Sequence, residues 1–138
     1  MSFREKSAWV MAAVMVVTGA FYGIMMRTAS QALGTTAPAA MAIGFVMLVV
    51  IGSIIVQVVL ALSSPREASA PADERERLVT QRAGHWSGLV LATCTVTALG
   101  HFLLRGDGNM LFHLVMGSLI VSHIAEYAFQ ISLLRRSV

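Results

Sequence analysis

Charge is what this chain has least of. Asp, Glu, Lys and Arg make up 12% of its 138 residues, against about 25% in an ordinary water-soluble domain. Hydrophobic residues make up 57%, and that imbalance excludes a typical soluble domain. Cysteine is nearly absent. The single Cys94 rules out an intrachain disulfide and any cysteine metal cluster, and reads as a small packing residue within a helix. Motifs of soluble chemistry are missing as well. There is no phosphate-binding glycine loop, no HExxH and no serine-nucleophile elbow, so enzyme activity is unsupported. The net charge of +3 is spread over segment ends rather than gathered into one patch, which argues against nucleic acid as a partner.

What is present is four long apolar stretches. A helix crosses the bilayer core, about 30 Å thick, with about 20 residues rising about 1.5 Å each. The stretches cover residues 8–26, 39–62, 85–104 and 113–134, and each meets that length. The expected fold is all-α: an integral membrane bundle of four transmembrane helices in two antiparallel hairpins, forming one domain over residues 1–138. Ser-Phe-Arg-Glu-Lys and the apolar run after it read as a retained anchor rather than a cleaved signal. Arg27–Pro38 loses the apolar periodicity and reads as a loop, with Pro38 suited to the start of the next helix. Residues 63–84 form the central loop. Its first part, Ser63–Ala72, is rich in Ser, Ala and Pro and reads as a linker. Arg105–Asn109 (RGDGN) reads as a tight turn.

Eight of the ten Lys and Arg residues lie in the two termini and the central loop. By the positive-inside rule these three segments are cytoplasmic. The expected location is a bacterial inner membrane, crossed several times, with the lipid bilayer as the first partner.

Two kinds of helix-packing signal stand out. Gly19 and Gly23 form a GxxxG pair in the first span. Ala40, Gly44 and Gly52 recur near one face of the second. Small residues let backbones approach closely in lipid, either within the chain or between copies. In the third span Ser87, Cys94 and His101 share a face at heptad spacing, with Thr93, Thr97 and Gly100 beside them.

The polar residues inside the spans are the candidates for chemistry. The last span carries His113, His123, Glu126 and Gln130. An ionisable group at membrane depth costs about 2.5–3.5 kcal/mol on insertion scales and faces protein or water, so this helix is expected to be covered by the others. Folding the second half about Asp107 sets His101 and His113 at similar depth near the outer surface. It sets His85, His123 and Glu126 at an inner level. His123 and Glu126, three residues apart, meet on one helix face. His85, His123 and Glu126 are therefore candidates for binding a ligand, handling protons or, with N and O donors, holding a metal. His101 and His113 invite a haem reading as two axial ligands. Against it, adjacent helices at about 8–10 Å leave little room for a macrocycle. A buried hydrogen-bonded pair that fixes helix register is the plainer reading of His123 and Glu126, and an ordinary interfacial histidine pair that of His101 and His113.

Before the third span lies Asp73-Glu74-Arg75-Glu76-Arg77. Asp73 suits a helix N-cap, and the acids favour the positive end of the helix dipole. Asp73, Glu74, Arg75 and Arg77 are the candidate contact with a cytoplasmic partner or an anionic lipid. This box, together with Ala98-Leu99-Gly100, Ala125-Glu126-Tyr127, Gln130 and Arg135-Arg136, resembles a family of small bacterial and archaeal four-helix membrane proteins of unknown function. The resemblance covers residues 73–138, implies four transmembrane helices with a cytoplasmic loop, and carries no activity. In length the chain is also similar to the small multidrug transporters, which place an essential carboxylate in the first helix. Here the only membrane-depth acid, Glu126, is in the last. The leading expectation is an accessory, structural or regulatory subunit that acts by helix association, as a homo-oligomer or within a larger membrane complex. The alternative is a haem-binding, metal-binding or proton-coupled protein using the histidines and Glu126.

Overall fold

The computed structural model describes residues 3–35, 37–63 and 73–136. Among these, four helices account for nearly every residue: α1 (Phe3–Leu33), α2 (Ala39–Ser63), α3 (Glu74–Arg105) and α4 (Gly108–Arg136). All four are long and apolar enough to cross a membrane, and α2 is the most apolar. The linker expected over Ser63–Ala72 lies, beyond Ser63, outside the described residues.

The helices outrun the spans read from hydropathy. α1 continues through Arg27 to Leu33, where a loop is expected. Thr28, Ala29, Ser30, Gln31, Ala32 and Leu33 contain no helix breaker. The Thr28 hydroxyl also bonds back to the Ile24 carbonyl at 2.9 Å. Loss of apolar residues marks the end of the apolar stretch, not the end of the helix. The stop comes at Gly34, whose φ of 68° is the left-handed conformation that ends helices and suits glycine.

The turn between α3 and α4 is shorter than the RGDGN segment. Arg105 still belongs to α3, and Gly108 and Asn109 already belong to α4. Gly106 closes α3 with φ 68°, its N–H donating to the Phe102 carbonyl at 2.7 Å. Asp107 opens α4 at once. Its Oδ1 accepts from the Met110 N–H at 3.0 Å and its carbonyl from the Leu111 N–H at 3.0 Å, the pattern of an N-cap. Asn109 reaches across to accept the Ala39 N–H at 3.2 Å, so the start of α4 caps the start of α2.

α4 is the helix on which the others meet. It packs against α3 over the largest interface, against α1 over the next, and against α2 over a small one. α3 buries Val79, Ala83, Ser87 and Ala98, mostly small residues that permit close approach of helix backbones. Trp86 lies against Phe129 with ring centroids 6.5 Å apart. At the far end Arg75 donates to the Leu134 carbonyl at 3.3 Å, and the Arg135 guanidinium sits 5.3 Å above the Trp9 ring. The main apolar cluster joins Tyr22 and Met26 of α1, Ala37, and Ala42 and Phe45 of α2, with Phe112, Met116 and Ile120 of α4 against it. α2 enters this cluster only by its first turns. Farther along, Ile51, Ile54, Ile55, Val58, Val59 and Leu62 are exposed, so its second half stands away from the bundle.

Candidate functional site

Two groups of polar side chains within the long apolar helices make contacts with one another, and one residue that sequence reasoning missed organises the first. Tyr22 is buried. Its hydroxyl lies 2.7 Å from His113 Nδ1, while His113 Nε2 lies 2.7 Å from the Ala37 carbonyl. A carbonyl only accepts, so Nε2 carries the hydrogen. Nδ1 of the neutral ring then accepts from the Tyr22 hydroxyl. One imidazole thus ties α1, the segment before α2, and α4 together with both nitrogens satisfied. Ligation of a haem iron by His113 requires breaking one of these bonds. His101 lies half-buried on α3. His113 is thus hydrogen-bonded to Tyr22 and Ala37 rather than paired with His101. The signal for Tyr22 was available: a tyrosine within an apolar span needs a partner for its hydroxyl, and His113 lies at the same end of the bundle.

The second place is near the middle of α4. His123 Nδ1 is 3.6 Å from Glu126 Oε2. The other carboxylate oxygen, Oε1, accepts from Gln130 Nε2 at 3.4 Å. His123, Glu126 and Gln130 therefore form one polar row along α4, with the carboxylate between two donors. His85 is not part of it. It is exposed on α3 with its ring edge-on to Trp86 at 6.3 Å. Among the described residues no three His, Cys, Asp or Glu side chains come together as a metal site would need. The inner group expected from sequence thus reduces to His123 and Glu126, because the rotation of α3 turns His85 outward.

His123 also lines a cavity of about 380 Å³ between α1, α2 and α4, whose other walls include Thr18, Phe45, Val49, Ser53 and Ile120. A second cavity of about 280 Å³ shares Thr18, Phe45, Val49 and Ser53 with it. Both are parts of the wedge left where α2 stands away. The Ser53 hydroxyl is covered and has no hydrogen-bond partner.

The remaining candidates divide between internal and open positions. A Cβ added at Gly19 would lie 2.7 Å from Ile120 Cγ2, so Gly19 serves the α1–α4 contact. Added at Gly23, Gly44 or Gly52 it would meet nothing within 4 Å. In the acidic-basic box, Asp73 caps α3, accepting the Glu74 N–H at 2.8 Å, and Arg75 reaches Leu134. Glu74 and Arg77 are exposed. No family model, curated protein or solved structure matches the chain.

Proposed function

We propose that this is a small multi-pass membrane protein that works as an accessory, structural or regulatory subunit, by helix association with itself or with a larger membrane complex. The observation that supports this best is the open seam on α2. Gly44 and Gly52 face no atom of their own chain within 4 Å of an added Cβ, and α2 is held to the bundle only by its first turns. Small residues on an open helix face permit close approach of a second helix in lipid. The same reading takes the four helices as two antiparallel hairpins in a bacterial inner membrane. Both termini and the central loop are cytoplasmic, consistent with the Lys and Arg distribution. The exposed Glu74 and Arg77 are then the cytoplasmic contact, and Asp73 and Arg75 hold the end of α3 in place for it.

The test is in-membrane cross-linking and native mass spectrometry of the wild type beside Gly44→Leu and Gly52→Leu. The wild type should yield a discrete assembly that both variants dissociate while their helix content is unchanged. A single-copy wild type without any co-purifying partner would refute the proposal. Charge reversal at Glu74 and Arg77 should separately release a cytoplasmic partner, and unchanged co-purification would remove that role from the box.

A further inference from the structure

The wedge beside α2 holds more than an unpartnered apolar surface. Its lining is apolar over most of its extent, with Thr18, Ser53 and His123 the polar residues along it. Several hydroxyls elsewhere on these helices bond to the carbonyl one turn back. Ser63 does so to Val59 at 2.7 Å, Ser118 to Leu114 at 2.8 Å and Ser132 to Ala128 at 2.7 Å. The corresponding carbonyl for Ser53 is that of Val49, yet the Ser53 hydroxyl makes no such bond and is covered. It is a covered polar group without a partner beside the cavity, which is the uncommon state for a buried hydroxyl.

His123 is oriented from behind. Its Nδ1 faces the Glu126 carboxylate at 3.6 Å, and that carboxylate is steadied by Gln130 on its other oxygen. A carboxylate beside one ring nitrogen favours the tautomer with the hydrogen on that nitrogen. The neutral ring then keeps a lone pair on Nε2, an acceptor on a half-exposed side chain that lines the cavity. The complementary molecule has a hydrogen-bond donor at its head and an apolar body. A permanently charged head would lose its hydration among these walls. The volume of about 380 Å³ lies at the small end of ligand pockets, which run from about 300 to 1,000 Å³. It suits one ring with a short chain rather than a two-chain phospholipid.

We propose that the wedge between α2 and the α1–α4 pair is a binding site for a bilayer-soluble phenol, with the phenolic hydroxyl donating to His123 Nε2 and the ring and chain lying along Phe45, Val49 and Ile120. This goes beyond the association reading. Helix association uses the open face carrying Gly44, whereas the wedge lies on the side of α2 that faces the bundle, with Gly52 at its border.

The experiment uses the full chain in lipid nanodiscs and a 4-alkylphenol carrying a diazirine in its alkyl chain, with labelled peptides read by mass spectrometry. Competition is measured with 4-pentylphenol and with its methyl ether, which has the same body and no donor. Label should concentrate on α2 and α4 peptides that include Val49, Ser53 and Ile120. The phenol should compete about tenfold better than the ether, the equivalent of about 1.4 kcal/mol for one hydrogen bond. His123→Phe should erase that difference while leaving some labelling. Ser53→Leu, which fills the cavity, should abolish the concentrated label. Equal competition by phenol and ether would overturn the proposal. So would label spread over lipid-exposed residues such as Ile55 and Val59 and unchanged by Ser53→Leu, since ordinary lipid would then be the occupant. Helix content and elution volume of each variant are checked first. Should Ser53→Leu misfold, the phenol-to-ether ratio in His123→Phe decides alone. The oligomeric state is read from the same nanodiscs, so loss of assembly and loss of the phenol site are distinguished.

Discussion

Replacing Gly19 by alanine adds one methyl group where there is no space for it. The new Cβ would lie 2.7 Å from Ile120 Cγ2, and carbon atoms in good contact sit about 3.5–4.0 Å apart. α1 and α4 must therefore separate locally by roughly 1 Å, or Ile120 must leave its rotamer. Because Cγ2 branches directly from Cβ, no flexible chain end absorbs the clash. Overpacking of this kind costs about 1–3 kcal/mol. Alanine also favours a helix over glycine by about 1 kcal/mol, which offsets part of the cost. The control sits one turn away. Gly23 belongs to the same GxxxG pair and has nothing within 4 Å of an added Cβ. Gly23→Ala carries the propensity gain without the clash, so the difference between the two variants isolates the packing term at about 1–3 kcal/mol. Reversible unfolding in mixed micelles, followed by helix signal, measures both. Ile120→Leu moves the branch off Cβ at nearly constant volume and should recover most of the loss in the double variant. If Gly19→Ala and Gly23→Ala agree within about 0.5 kcal/mol, or Ile120→Leu restores nothing, the close approach of α1 to α4 is wrong.

The hydrogen-bonded node makes its own prediction. Tyr22→Phe should destabilise the bundle by about 1–3 kcal/mol, because it leaves a shielded acceptor on His113 without its donor. Nitrogen NMR of the wild type should show His113 with the hydrogen on Nε2 and none on Nδ1, and the opposite tautomer would contradict the contact with the Ala37 carbonyl. At the α3–α4 turn, Gly106→Ala should cost about 1–2 kcal/mol for a side chain forced into left-handed backbone, and Asp107→Ala about 1 kcal/mol for the lost cap. Micelle unfolding reports both, and a neutral Gly106→Ala would place that residue outside the left-handed region. Glu126→Gln should leave the fold intact and free His123 to take either tautomer. The His123 nitrogen signals should then move from one dominant form to a mixture.

Composition and run length determined a good deal by themselves. The four apolar stretches are local facts, and each became a helix long enough to cross a membrane. Turn chemistry was also legible, since Gly106 and Asp107 do what glycine and aspartate do at helix ends. The row of His123, Glu126 and Gln130 follows from helical periodicity alone. The helix ends were not legible from hydropathy, because the signal that drops at Arg27 is the end of the apolar stretch rather than of the backbone hydrogen bonding that runs on to Leu33.

Which face of each helix turns inward was decided only by tertiary packing. In a water-soluble protein the apolar stripe identifies the buried side. In lipid the surroundings are as apolar as the core, so the driving force that writes such a stripe is missing. Nothing local separates Gly19, pressed against Ile120, from Gly23, which is open. Nothing local turns His85 outward while His113 is held by Tyr22 and Ala37. The wedge beside α2 has the same origin. It exists because three helices meet over the first turns of α2 and no further, and no single stretch of sequence carries that geometry.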